Sequence, residues 1–261
     1  MEPIRNAVAI TPVWNESLAM IQKFQEGVEK VRHKLTESGI GFRHFFLDDC
    51  ALHLPDEYPI LVRHTENQGL AKTLLDGYEA TLGVKSAPDL VVRLDANEHD
   101  PLKIVEAVDH LSHAPADALF LPVWYWVESD PRPLMQQITA MIADFTRALS
   151  PINAPIVVSI YNQKFPMGFA AFRPELLRGI LPLMHEGLKM SQEISGKPVT
   201  WGLDLLAILL AAEKAPGRID FLFGGWAQPW AENRGPDKIA AQRKRAETMV
   251  DVAGRLGCKM L

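Results

Sequence analysis

Short, nearly continuous apolar runs alternate along the first half of the chain with longer stretches whose apolar residues recur every three or four positions. Ala7-Val8-Ala9-Ile10-Thr11 is compact, partly β-branched and followed by Pro12, the signature of a buried strand. From Glu16 to about Ser38, residues Leu18, Ile21, Phe24, Val28, Val31 and Leu35 mark one face of an amphipathic helix, which Gly39 and Gly41 stop. Strands are predicted at Phe42–Leu47, Ile60–Val62, Leu90–Leu94 and Ala118–Val127. Helices are predicted over Gly69–Leu82 and from Pro101, a favourable first helical residue, to Leu111. The second half is less regular. Helices are expected at Leu134–Leu149, Pro174–Met184, Leu203–Lys214 and Pro236–Arg255, with extended segments at Ile156–Ile160, Phe169–Phe172 and Ile219–Phe223.

Strands without polar alternation, separated by helices, predict an α/β architecture: a Rossmann-like, mostly parallel sheet flanked by helices on both faces. No repeat, low-complexity tract or linker divides the chain, so a single domain over residues 1–261 is expected. Its composition changes this picture little. The 261 residues are 48% hydrophobic and 23% charged, with a formal charge of −5, so no global basic field exists to hold a nucleic acid. Two cysteines, Cys50 and Cys258, are too few for a disulfide framework or a thiolate zinc cluster. The N-terminus lacks the basic-then-apolar order of a signal peptide, and the apolar run at Leu203–Ala212 is short and contains Asp204. A cytoplasmic protein with no integral membrane segment is the expectation, with the oligomeric state left open.

Candidate chemistry follows from the strand order. Ligands of open parallel sheets bind beyond the carboxyl ends of the strands, and four successive strands here end in polar groups. These are Pro12-Val13-Trp14-Asn15-Glu16, Asp48-Asp49, Arg63-His64-Thr65-Glu66-Asn67-Gln68-Gly69, and Asp95-Ala96-Asn97-Glu98-His99-Asp100. Each alone also reads as a helix start or a turn; their convergence on one edge argues for a cleft. Asp95 and Asn97 stand two residues apart, so extended backbone sends both side chains to one side, where a carboxylate and an amide oxygen suit a hard cation such as Mg2+ or Mn2+. Trp124-Tyr125-Trp126, Trp226 and Trp230 could cover the face of a sugar, or anchor core and loop. Arg234, Lys238, Arg243, Lys244 and Arg245 could meet a phosphorylated ligand, or form a solvated helix face. His110 and His113 share a helix face with no cysteine nearby in sequence, a weak metal signal.

In the order of these motifs the chain resembles a family 2 glycosyltransferase of the GT-A fold, in its dolichyl-phosphate-mannose-synthase-like branch. The matching positions are Pro12–Glu16, Asp48-Asp49, Asn67-Gln68-Gly69 and Asp95-Ala96-Asn97, with Met167–Arg173 similar to the family's acceptor-side segment. The likeness spans about residues 7 to 225, and its tightly ordered motifs lie in the first 110 or so. It implies a nucleotide-binding half over residues 1–115 and an acceptor-side half over 116–261. It further implies inverting transfer of a sugar from a UDP- or GDP-linked donor to an unidentified acceptor, whether saccharide, lipid phosphate or small molecule. By the same resemblance Pro12, Glu16, Asp48, Asp49, Asn67 and Gly69 bind the donor, Asp95 with Asn97 faces the diphosphate and a divalent cation, and Asp204 is the base. The chain departs from the pattern in three ways. Asn97 stands where an acid is usual, Cys50-Ala51-Leu52-His53 replaces small hydroxyl residues after Asp49, and the membrane helices of many members are missing.

Two other functions compete. A nucleotidyltransferase would share a related sheet, but would carry a Gly-rich basic loop after the first strand, which Pro12–Glu16 is not. A sugar-nucleotide-binding module with weakened catalysis would account for Asn97. No G-x-G-x-x-G follows the first strand, which disfavours a dinucleotide-dependent dehydrogenase.

Overall fold

A computed structural model describes residues 3–49, 54–97, 100–121, 124–125, 132–162, 168–196, 202–222, 226–227 and 236–261. The strands are β1 (Asn6–Val13), β2 (Gly41–Asp48), β3 (Ile60–Arg63), β4 (Leu90–Leu94), β5 (Ala118–Phe120), β6 (Trp124–Tyr125), β7 (Phe169–Phe172), β8 (Ile219–Phe221) and β9 (Trp226–Ala227). The helices are α1 (Leu18–Glu37), α2 (Leu70–Leu82), α3 (Lys103–His113), α4 (Arg132–Ala148), α5 (Ala154–Asn162), α6 (Pro174–Ser195), α7 (Leu203–Lys214) and α8 (Pro236–Arg255).

Seven strands form one sheet in the order β3-β2-β1-β4-β7-β5-β8. All neighbours are parallel except those of β7, which runs antiparallel between β4 and β5. The expected α/β, mostly parallel, Rossmann-like class is therefore the observed one. Side chains alternate between the two faces as the pleat requires. Leu90, Val92, Leu94, Phe169 and Ala171 join α1 and α3 on one side, whereas Val91, Ala170 and Phe172 join α2 and α4 to α8 on the other. Close approach is built in where α2 crosses β2: a Cβ placed on Gly77 would lie 2.3 Å from Leu47 Cδ1.

The structure differs from the sequence reading at four places. The first strand runs on through Pro12 to Val13, because β1 pairs with β4 only as far as Ile10. At Pro12 it has lost that neighbour, and the missing N–H costs no ladder bond. The predicted strand at Ile156–Ile160 is the helix α5: Asn153 Oδ1 accepts the Ile156 N–H at 3.3 Å, and Val157, Val158, Ile160 and Tyr161 are buried. A short apolar run cannot by itself distinguish a buried strand from a buried helix. The fifth strand is broken: β5 stops at Phe120, and Trp124–Tyr125 forms a separate parallel pair with Trp226–Ala227. Finally, α6 extends to Ser195, passing through Pro182. Among the described residues, no helix is long and apolar enough to cross a membrane.

Candidate functional site

The carboxyl ends of β1, β2, β3 and β4 and the start of antiparallel β7 all arrive at one edge of the sheet. Arg93 sits one residue before the end of β4, in register with Ile10 of β1 and Ala170 of β7. It is the largest of the fully buried side chains, 1% exposed. Two residues on, Asp95 shares its face, and the Asp95 N–H donates to the Gly168 carbonyl just before β7 at 2.8 Å. The guanidinium bridges two carboxylates: Arg93 Nη2 donates to Asp95 Oδ1 and Oδ2 at 2.8 and 2.9 Å, and Nη1 to Asp204 Oδ1 at 2.7 Å.

Asp204 lies in the first turn of α7, whose N-cap Gly202 has φ of 103°. That left-handed conformation suits glycine, and the helix N-terminus favours negative charge. Burial pushes the Asp204 carboxyl above its ordinary range, while Arg93 pulls it down. Tyr78 of α2 faces the same three groups. Burial raises its phenol, Arg93 opposes the rise, and Asp204 and Asp95 add to it. The side chains of Asp95 and Asp204 keep 15% and 19% of their surface exposed, so neither is sealed from solvent.

A second polar cluster lies where β1, β2 and β3 end. Val13 pairs with Asp48, and Asp48 with Arg63. Arg63 Nε donates to Asp48 Oδ2 at 3.1 Å, and its Nη groups hold Asp56 and the Leu54 carbonyl, the latter at 2.5 Å, fastening the 54–59 loop. Asp48 Oδ1 is buried with no hydrogen-bond partner among the described residues. Asp49 is saturated instead. Its Oδ1 meets His64 Nδ1 at 2.9 Å and the Gln68 N–H at 2.8 Å, and its Oδ2 accepts the Gly69 N–H at 2.9 Å. His64 Nε2 meets Asp76 Oδ2 of α2 at 3.1 Å, and Lys72 pairs with Asp76.

The structure thus gathers Asp48, Asp49, Asn67, Gly69, Asp95 and Asp204 at one edge, with Pro12 in the same edge's β1. Several of them serve the chain itself. Asn67 Oδ1 accepts the Gly69 N–H at 2.8 Å, and Glu16 Oε2 accepts the N–H groups of Trp14 and Asn15 at 2.7 and 3.1 Å, closing the turn after β1. Asn97 is exposed in the turn after Asp95. Arg173 does not join them. It lies at the opposite edge, donating to the Leu111 carbonyl at 2.8 Å. His110 meets Asp220 of β8 at 2.9 Å, and Arg243 pairs with Glu247 on an exposed helix face. Cys50, Glu98, His99, Trp126, Met167, Thr200, Trp201, Trp230 and Arg234 lie outside the described residues. The residue that sequence reasoning passed over is Arg93. Its signal was a lone charge inside the otherwise apolar Leu90-Val91-Val92-Arg93-Leu94, two residues before the key acid.

No protein-family model matches the sequence, and no curated protein matches it. The solved structures it matches include two that differ in kind. A mycobacterial protein is 14% identical, with a TM-score of 0.44, the match covering 96% of this chain and 75% of that one. A 4-diphosphocytidyl-2C-methyl-D-erythritol synthase from Anaerococcus prevotii DSM 20548 is 7% identical, with a TM-score of 0.35, covering 92% of this chain and 97% of that one. Likeness at this level carries no argument about function, which rests on the chain's own residues.

Proposed function

We propose that this edge binds a nucleotide-diphosphate sugar, UDP- or GDP-linked, and transfers the sugar with inversion to an acceptor hydroxyl or phosphate. The observation that carries the reading is the bridged pair of carboxylates, Asp95 and Asp204, held partly exposed at the carboxyl end of β4 by the buried Arg93. Asp95 lies on the donor side, beside β1 and β2, where Pro12, Glu16, Asp48, Asp49, Asn67 and Gly69 frame the nucleoside end. Asp48 contributes a buried oxygen able to accept an N–H or O–H of the donor.

Asp204 acts as the general base. Its oxygen takes the proton of the acceptor hydroxyl as that oxygen bonds to the anomeric carbon. The bond from that carbon to the diphosphate oxygen breaks, and its electron pair leaves with the nucleoside diphosphate. Burial raises the basicity of the Asp204 carboxyl, and Arg93 opposes part of that rise.

So acidic an edge would repel a bare diphosphate. Asp95 and Asn97 supply hard oxygen donors, and among the described residues no group of three His, Cys, Asp or Glu surrounds them. That donor set suits Mg2+ or Mn2+, which complete their shells with water and substrate phosphate oxygens. Bound there, the cation would neutralise charge on the departing diphosphate.

A thermal-shift series with nucleoside diphosphates and sugar nucleotides, with and without Mn2+, tests the proposal, since a specific ligand stabilises the native state by mass action. UDP or GDP is expected to raise the melting temperature in wild type and much less in Asp95→Ala. Equal responses to all nucleotides, or none, would overturn the donor site. Release of pyrophosphate in place of a nucleoside diphosphate would replace transfer of a sugar by transfer of a nucleotide.

A further inference from the structure

Arg93 is out of keeping with its place in the sheet. Its strand neighbours on the same face, Val91, Ile10 and Ala170, are apolar and buried, and an apolar side chain there would avoid the desolvation of a charge. Buried ion pairs can often be replaced by well-packed apolar groups without loss of stability, so packing alone does not account for an arginine. Its geometry does. The planar fork divides between two acids that are 109 positions apart in the chain: one nitrogen holds Asp204, the other spans both oxygens of Asp95. Lysine, a single point of charge on a flexible stem, cannot hold that arrangement.

We infer that Arg93 is the positioning residue of the transfer reaction, setting the spacing between the donor-side carboxylate Asp95 and the base Asp204 from one rigid group. The inference rests on the function proposed above. Asp95 belongs to β4, and its N–H is tied to Gly168. Asp204 belongs to α7, which packs against α6 and α8. Arg93 joins the reactive ends of these two elements. Reaction rates fall steeply when reacting groups are displaced by about 1 Å, so a fork that fixes both acids would act chiefly on turnover.

A double-mutant cycle separates this role from a structural one, because groups that act through one another lose less together than the product of their separate losses. Arg93→Met is expected to lower kcat about 100-fold with the acceptor KM unchanged, and Asp204→Asn about 1,000-fold, both within the range of general-base effects. The double variant is expected to fall no more than about threefold below Asp204→Asn alone. In calorimetry with UDP and GDP, Arg93→Met is expected to weaken binding roughly tenfold, and this loss should vanish in the Asp95→Asn background. Arg93→Lys, which keeps the charge, should restore folding while leaving kcat at least tenfold down; if Arg93→Met does not fold, the same cycles are run with Arg93→Lys.

Losses that multiply in both cycles, or full turnover in Arg93→Lys, would overturn the positioning role while leaving the transferase reading intact. A wild-type protein that neither binds nor turns over any nucleotide sugar would overturn that reading, and this role with it.

Discussion

Two pairs of carboxylates stand at the same edge of the sheet and are held by different means. Asp48 and Asp49 are adjacent and are fastened locally, through loops and turns within twenty residues. Asp95 and Asp204 are far apart in sequence and meet through a buried guanidinium. Within the first pair the division is sharper still. Asp49 uses both oxygens to hold the entry of α2, satisfying N–H groups that a helix start leaves without partners, whereas Asp48 retains an unpartnered buried oxygen. Carboxylates saturated by the chain build the frame, and those left with surface or lone pairs toward the cleft are the ones able to act on a ligand.

The largest effect is expected at the second pair. Asp204→Asn should reduce transfer by roughly 10³, about 4 kcal/mol in barrier, with nucleoside diphosphate affinity unchanged by calorimetry. Unchanged turnover would remove Asp204 from the base role and erase the distinction between the pairs.

Next comes a background that must be subtracted before acid titrations of either pair are compared. His44 is buried in β2, its Nε2 2.9 Å from Thr11 Oγ1, and burial, with help from Arg32, lowers its pKa to about 3. Between the unfolded value near 6.5 and this folded value the unfolded chain binds the extra proton. Stability is therefore fully present above about pH 6.5 and is lost as pH falls toward 3, by an amount on the order of 3–5 kcal/mol. Chemical denaturation across that range should show the loss in wild type and in Asp204→Asn, and a much flatter profile in His44→Gln. A similar acid limb in all three would assign it to the site carboxylates.

Asp49→Ala takes from the Gln68 N–H its carboxylate partner and removes one of two partners each from the Gly69 N–H, which keeps Asn67, and from His64, which keeps Asp76. We expect a loss of about 3 kcal/mol in folding stability, read by urea denaturation. Asp48→Asn should cost less than about 1 kcal/mol, because its partner Arg63 is substantially exposed and solvent screens the pair, yet it should weaken nucleotide binding. If the two variants cost the same stability, the division between frame and ligand-facing carboxylates fails.

How far this was readable beforehand depended on range. The order of the first-half elements was legible because Gly39, Gly41, Gly69 and Pro101 punctuate clear periodic stretches, and Leu90–Leu94 is the strand observed. The edge where the polar groups gather followed from strand direction alone. The different fates of Asp48 and Asp49 were not readable, because they depend on where the backbone turns after β2. Neither was the antiparallel entry of β7, nor the bond from Arg93 to Asp204, since each depends on pairings between segments that no local pattern connects. At Ile156–Ile160 the composition favoured a strand, and packing of α5 against α4 and α8 decided for a helix.

The placing of β7 also matters during biosynthesis. One flank of β4 is covered by β1, made earlier, but the other is completed only by residues 169–172. At about 5–20 residues per second, the ribosome exposes that apolar margin for several seconds before its partner emerges. A nascent chain arrested just before β7, with β4 already clear of the ribosome, would therefore offer a sticky, unpaired border to chaperones or to its neighbours on a polysome.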